Sequence, residues 1–413
     1  MNIELLREFL QDLKANRTRA ILTTVAMAWG TVAVVLLLAF GAGLSHQMQT
    51  GLINAGNRIM ILYGGETGMP YEGIPKGRRI ELVEDDVFLL RNAIPTIDLI
   101  SPQYRESVTL TYGGVSTRTE CEGVNPAFEE MRKMYPAAGG RFLSEIDVSN
   151  HRHVLFLGVE VAKELFKEED PIGKTVLLER VPFVVVGIMP PKLQTSMNNG
   201  PDTWRAIIPY STFRTMFGPL YVNSIVVRPG DPTRQQEIKK EIFRVLSRKY
   251  HFHPDDERTL FIWDFIENEK VGRKIAIGME LFLGGMGFLT LLIAGVGVAN
   301  VMYVVVKERT AEIGLKMAVG AKRRQILYQF VFEGMLLAGI GGLIGLLISW
   351  GVVSVVWTFP ADDGPMQFLG RPIFSLPIVL ATSGLLGLIG LLAGYFPARK
   401  ASSMDPVESL RYE

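Results

Sequence analysis

Four long apolar runs limit what this chain can fold into. They lie at about 20–45, 281–306, 330–361 and 372–398, and each is almost free of charge. A helix of about 20 apolar residues crosses the hydrocarbon of a bilayer, and every run reaches that length. The third is long enough to tilt or protrude. Hydrophobic residues make up 48% of the 413, and the mean hydropathy is +0.22, high for a soluble protein of this size. The expected fold is therefore membrane α-helical, with four transmembrane helices. An extracytoplasmic α/β (α+β) domain is expected between helices 1 and 2.

Charge supplies the orientation. Positive residues mark the cytoplasmic flank. Arg7, Lys14, Arg17 and Arg19 precede the first run, and Arg399, Lys400 and Arg411 follow the last. The connection between the third and fourth runs carries Asp362 and Asp363 with Arg371. Both termini are expected inside, that connection outside, and the stretch 46–275 also outside. The first run offers small residues for cleavage in "LLLAFGAG". Its core is too long for a signal peptide, and its leader carries acids as well as bases, so an uncleaved anchor is expected. In the leader, Leu6, Leu10 and Leu13 share a helical face with Phe9 beside it. That suits a helix lying on the membrane surface, or one packed on a protein partner.

The stretch 46–275 reads as a folded domain. "RESVTLTYGGVSTRTECEGV" alternates and turns at Gly113-Gly114, a hairpin signal. "KTVLLERVPFVVVGIM" gives two strands joined near Glu179-Arg180, and "RAIIPY" and "NSIVVRPG" are further strands. "VEDDVFLLRNAI" and "DPTRQQEIKKEIFRVLSRKY" read as helices, the second with Asp231 as its cap and Pro232 at its first position. About 110–205 is expected as an inserted subdomain.

Several chemistries are set aside. The net charge of +1 makes no electrostatic case for nucleic acid, and one cysteine, Cys121, forms no internal disulfide or multi-cysteine metal site. "DPIGKT" at 170–175 contains Gly-Lys-Thr, but a phosphate loop also needs glycine five residues before Gly173, where Glu168 stands. A turn entering a strand is the expected structure there. His151 with His153, and His251 with His253, form two His-x-His pairs without an obvious third ligand. No catalytic residues, cofactor or metal site are expected in the chain, and it is not expected to be an enzyme.

The charged stretch "KERTAEIGLKMAVGAKRRQ" between the second and third runs is the candidate site. Ile313, Met317 and Ile326 are apolar between charges, and Gly320 breaks the run. This predicts a short helix at the membrane surface, presented to the cytoplasm. Glu333 lies inside the third run. An intramembrane acid marks a functional residue or pairs near the interface, with Arg324 or Gln329 within reach. Gly341 with Gly345, and Gly390 with Gly394, are small residues four apart, which serve helix packing or dimer formation.

"ERTAEIGLKMAVGAKRRQI" closely resembles the hallmark of the MacB/FtsX family of ABC-transporter permeases, and "PARKASSMDPVESLRYE" resembles that family's C-terminus. "GGRFLSEIDVSNHRHVLFLGVEVAKELF" and "DPIGKTVLLERVPFVVVGIMPP" look like its periplasmic core domain. The resemblance runs nearly end to end. It implies a cytoplasmic N-terminal helix at 1–19, transmembrane helices at 20–45, 279–306, 326–358 and 376–397, and a core domain at 46–275. It also implies a cytoplasmic coupling helix at 307–325, an external loop at 359–375 and a cytoplasmic tail at 398–413.

By the same resemblance, Glu308, Arg309, Glu312, Ile313, Gly314, Lys316, Met317, Gly320 and Ala321 contact an ABC ATPase subunit. No Walker motif precedes the first helix, so ATP and Mg are expected on that separate partner. The implied mechanism is mechanotransmission: the ATPase moves the helices, and the external domains change their spacing. The implied setting is the bacterial cytoplasmic (inner) membrane, with a second permease copy, a periplasmic adaptor (membrane fusion protein), an outer-membrane channel and membrane lipid as partners. The implied task is efflux of peptides, toxins or drugs. A regulator of cell-wall hydrolases resembling FtsX, and a lipoprotein-releasing permease resembling Lol, are the alternatives. Asp405, Pro406 and Glu408 read as a capping box for a final helix.

Overall fold

The computed structural model describes residues 17–194, 200–360 and 369–403. The expected N-terminal surface helix, the Asp362-Asp363 connection and the Asp405 capping box therefore lie outside the described residues. In chain order the elements are α1 (Arg17–Ala55), β1 (Met60–Gly64), α2 (Asp85–Ala93), β2 (Ile97–Tyr112), β3 (Val115–Val124), α3 (Phe128–Arg132) and α4 (Glu145–Ser149). Then come β4 (Val154–Gly158), α5 (Val159–Phe166), β5 (Thr175–Leu178), β6 (Val181–Met189), β7 (Arg205–Pro209), α6 (Tyr210–Phe217), β8 (Ser224–Pro229), α7 (Gln235–Tyr250) and β9 (Leu260–Asp264). Four helices close the chain: α8 (Phe265–Glu308), α9 (Thr310–Ala318), α10 (Arg323–Trp357) and α11 (Leu376–Ser402). The chain forms two compact units, one of Met48–Arg273 and the other of the residues before and after it.

The helical unit contains four helices long and apolar enough to cross a membrane, namely α1, α8, α10 and α11. The helices α1 and α8 exceed the bounds of 20–45 and 279–306 that hydropathy suggests. Apolarity marks the part that suits lipid, whereas the hydrogen-bond ladder continues until a residue breaks it. Within the unit the repeated glycines serve packing inside this chain. A methyl built on Gly345 would lie 2.5 Å from Thr31 Cβ, and one on Gly341 would lie 2.6 Å from Met27 Cβ, so α10 meets α1 there at backbone range. A methyl on Gly334 would sit 3.0 Å from the Cα of Gly394, and one on Gly390 would sit 2.7 Å from Ala338 Cβ, so α10 and α11 meet the same way. Two buried hydroxyls in the spans return to their own helices: Thr31 donates to Met27 O at 2.7 Å, and Ser349 to Gly345 O at 2.7 Å.

The Met48–Arg273 unit is organised by one long strand, β2. Its first half, Ile97–Gln103, pairs with β8 in an open antiparallel sheet that continues to β1 and β9. Its second half, Tyr104–Tyr112, pairs with β3 and, at Leu110 and Thr111, with β5. The strands β3, β7, β4, β6 and β5 then close a six-stranded barrel back onto β2. The barrel strands run from Tyr104, on a strand shared with the open sheet, to Pro209, where the sequence reading expected an insertion at about 110–205. The β2–β3 hairpin turns at Gly113 (φ 53°) and Gly114 (φ 83°), a pair of positive φ values that matches the right-handed twist of the strands. The joint of β5 and β6 also has positive φ, at Glu179 and Arg180.

One end of the barrel holds buried charge. Asp202 accepts from Arg132 Nη2 at 2.7 Å and pairs with Lys192 Nζ at 2.7 Å. Arg205 pairs with Glu122 and lies 3.6 Å from Asp202. Burial alone would raise the Asp202 carboxyl. The charges of Arg132, Lys192 and Arg205 outweigh that and hold it far below the usual carboxylate range. Burial pushes the Lys192 ammonium down to about 8 despite the attraction of Asp202. Burial, followed by the neighbouring Glu122 and Glu120, lifts the Cys121 thiol well above its ordinary value, so it is not a reactive nucleophile.

Candidate functional site

The charged stretch between α8 and α10 is not one helix over 307–325. The helix α8 runs on through Glu308, α9 occupies Thr310–Ala318, and α10 starts at Arg323. Arg309 stands at the first joint with φ −96° and ψ 13°. Hydrogen bonds still cross this joint, from Arg309 N to Val305 O and from Ile313 N to Arg309 O. The Thr310 hydroxyl donates to Lys307 O at 2.8 Å, satisfying a carbonyl at the end of α8.

The second joint is set by Gly320, whose φ is 105°. Gly320 N donates to Met317 O and Ala321 N to Lys316 O, the pair of bonds that closes a helix when the residue after its cap is left-handed. A residue with a Cβ is strained at that angle. Lys322 N then donates to Gln325 Oε1 at 2.8 Å, capping the start of α10.

The short helix has two faces. Ile313 and Gly314 are buried. Ile313 packs with Met302, Val306, Ile326 and Phe330, and Met317 and Ala321 pack partly against the same cluster. On the other face Ala311, Glu312, Leu315 and Val319 are exposed, Leu315 by 57% and Val319 by 83%. Charge binds the helix to its neighbours. Lys316 Nζ lies 3.0 Å from Glu312, and Arg309 Nε lies 3.9 Å from Glu312. Arg309 Nη1 also reaches Glu333 Oε1 at 3.3 Å, and Gln329 Nε2 donates to the same oxygen at 3.4 Å. The cation beside Glu333 is thus Arg309, whereas sequence proximity suggests Arg324. Arg309 sits at the root of α9, so this pair ties the short helix to the inside of α10.

The structure gathers Arg309, Glu312, Lys316 and Glu333 into one chain of charge. Ile313, Gly314, Met317 and Ala321 form the packed side, Gly320 ends the helix, and Glu308 is exposed at the end of α8. Sequence reasoning missed Leu315 and Val319. An apolar residue in a helical period reads as core, and only its neighbours show that it faces outward.

The other motifs resolve into local structure. Asp170 Oδ1 accepts from Ile172 N at 3.0 Å and Gly173 has φ 80°, so "DPIGKT" forms a turn leading into β5. His151 Nδ1 contacts Thr215 Oγ1, His153 stacks on Phe183, and His251 Nδ1 lies 3.1 Å from Glu72. Among the described residues no three His, Cys, Asp or Glu side chains converge as metal ligands.

Comparison with known proteins gives two family matches. The MacB-like periplasmic core domain matches residues 20–245, and the FtsX-like permease C-terminal domain matches residues 284–406. The macrolide export ATP-binding/permease protein MacB of Bdellovibrio bacteriovorus is 31% identical over 414 residues, covering 100% of this chain and 62% of the relative. The pyoverdine export ATP-binding/permease protein PvdT of Pseudomonas syringae is 30% identical over 402 residues, covering 96% of this chain and 58% of the relative. The chain thus spans about three fifths of the length of these relatives. The solved periplasmic region of MacB from Actinobacillus actinomycetemcomitans aligns with a TM-score of 0.43 at 21% identity, over 54% of this chain and 96% of that one.

Proposed function

The chain belongs to the MacB-like and FtsX-like family of ABC-transporter permeases, and we propose that it couples ATP hydrolysis by a partner ATPase to movement of its extracytoplasmic domain. The observation that carries this reading is α9. It is a short helix closed at its C-terminal end by Gly320, whose outward side combines Leu315, Glu312 and the capping Val319, while its inner face packs on the membrane helices. Apolar side chains left in water beside charge suit a partner surface. The Arg309–Glu333 pair supplies a route by which a push on α9 reaches α10. A motor shifts such an element only by contacting its two states differently.

The task is export of peptides, toxins or drugs from the far side of the membrane, in a dimer of permease chains with an adaptor and an outer-membrane channel. The relatives' names, which speak of macrolide and pyoverdine export, support an export role. Both termini and α9 face the cytoplasm in this reading, and the Met48–Arg273 unit faces the periplasm. ATP and Mg are held by the ATPase partner.

Purification of the tagged chain in mild detergent, followed by mass spectrometry, is expected to recover an ABC ATPase. Replacing Leu315→Glu and Val319→Glu together is expected to abolish that recovery and the stimulated ATPase activity, with thermal stability unchanged because both positions are exposed. Wild-type recovery and stimulation in the double variant would overturn the coupling role.

A further inference from the structure

At the end of α8 a pocket of about 600 Å³ opens, lined chiefly by Tyr303, Val304, Lys307, Glu308, Ala311 and Lys400. We infer that this pocket binds the headgroup of an anionic phospholipid. The inference rests on the membrane-spanning reading of the helices and on the proposed cytoplasmic placement of this end of α8, and its test needs no ATPase partner.

Position is the first argument. Charge resumes at Lys307, where the apolar run 281–306 ends, so the pocket stands where hydrocarbon gives way to headgroups. Tyr303 lies one turn further in, the depth at which an aromatic ring with a polar tip is favoured. Tyr303, Lys307 and Ala311 are spaced four apart on one side of the helical path, and Lys400 comes across from α11. Its ammonium lies 5.8 Å from the centre of the Tyr303 ring.

Charge is the second argument. Lys307 and Lys400 are exposed, and neither has a carboxylate partner among the described residues. Lys316, two turns along, is paired with Glu312. Glu308 on the rim already has an interaction of its own. Two lysines against one acid leave the lining positive, and basic pockets between membrane helices on the cytoplasmic side suit anionic headgroups.

Shape is the third argument. Tyr303, Val304, Val306 and Ala311 give the pocket an apolar wall. A free phosphate has no use for that wall, whereas the glycerol and first methylenes of a lipid would cover it. A phosphate seated between Lys307 and Lys400 would clamp α8 to α11 just before the Arg309 joint. It would thereby hold the root of α9.

The test uses the full chain purified in neutral detergent. Phosphatidylglycerol, phosphatidylcholine and inorganic phosphate are titrated separately, with bound lipid read by native mass spectrometry and stability by thermal unfolding. Phosphatidylglycerol is expected to bind and raise the Tm, and the other two to do neither. Lys307→Gln with Lys400→Gln is expected to weaken binding about 30-fold. Lys322→Gln with Arg323→Gln, outside the pocket, is expected to leave it within about twofold on the same scale. Should the double variant fold poorly, Lys400→Arg is expected to retain binding where Lys400→Glu loses it. Equal binding of phosphatidylcholine would overturn the proposal, as would undiminished binding in the lysine variants. Inorganic phosphate alone reproducing the stabilisation would assign the site to a free anion. Phosphatidylglycerol binding only after deletion of residues 404–413 would assign it to the chain's own tail, and either result refutes a lipid site.

Discussion

Replacing Arg309→Gln withdraws a guanidinium from a carboxylate that α10 holds largely inside the helix bundle. Arg309 is 16% exposed and Glu333 8%, with Nη1 and Oε1 3.3 Å apart. Removing one member of a buried pair costs about 3–5 kcal/mol, because the remaining charge keeps its desolvation penalty. Here the contact is long and Gln329 stays beside Glu333, so about 2–3 kcal/mol is expected. Glu333→Gln alone strands a guanidinium that still has Glu312 at 3.9 Å, and it is expected to cost less, about 1 kcal/mol. The two changes together replace an ion pair with two amides that can hydrogen-bond. The double variant is expected to be less destabilised than the sum by about 1–2 kcal/mol, within the range for contacting residues. Thermal unfolding of the purified chain in detergent measures stability, and ATPase stimulation by the same variants measures coupling. Arg309→Gln is expected to lower both, and the double variant to be no less stable than Arg309→Gln alone while stimulation stays lost. Additivity of the two single changes to within about 0.5 kcal/mol would show that the pair carries no coupling and would refute the argument.

Gly345→Leu places a side chain where even a methyl meets Thr31 Cβ at 2.5 Å and Ala28 O at 2.7 Å. It is expected to cost at least about 3 kcal/mol, the upper range for overpacking, whereas Gly351→Leu on the open side of α10 should leave the Tm within a degree or two of wild type. Acid should weaken the barrel through Asp202 and Asp147. Burial would raise the Asp147 carboxyl, but Arg141 and Ser144 hold it below its usual range, as the cations around Asp202 do there. Both folded-state values are lowered, so their stabilisation is present above the unfolded carboxylate range, near pH 4, and is lost progressively as pH falls below that range through the lowered folded values. A pH series of unfolding midpoints should show a loss below about pH 5 that is smaller in Asp202→Asn; an unaltered slope would refute the assignment. A membrane-impermeant thiol reagent on intact cells is expected to label Ser116→Cys and not Lys322→Cys. Cys121 is buried and should give little background, and the reverse labelling pattern would invert the topology.

How much was legible in the sequence depended on how far apart the interacting residues lie. The four membrane helices follow from apolar length alone, because lipid selects on composition and tolerates almost any helix partner. The Gly113-Gly114 hairpin and the stop at Gly320 were also readable, since a positive φ is a property of the residue itself and its immediate turn. The barrel was only partly readable. An insertion at about 110–205 was expected because the chain enters the domain from one apolar run and leaves it into the next, but closure joins β3 to β7 across about 80 residues of chain, as in the pairing of Cys121 with Ala206, and no local pattern encodes such a partner. The charge pairs follow the same rule. Glu333 was marked by its depth in an apolar run, yet its cation came from Arg309, 24 positions away, and not from the nearer Arg324.

The sequence by itself determined the membrane class, the alternation of spans with a folded domain, and the place of the charged joint. Those depend on composition and short-range backbone preference. Tertiary structure decided which apolar residues of α9 are core and which face outward, that the paired glycines serve packing within one chain, and that Arg132, Lys192 and Arg205 converge on one carboxylate. Each of these depends on which distant surfaces meet, and such meetings are settled by packing and electrostatics summed over the whole fold.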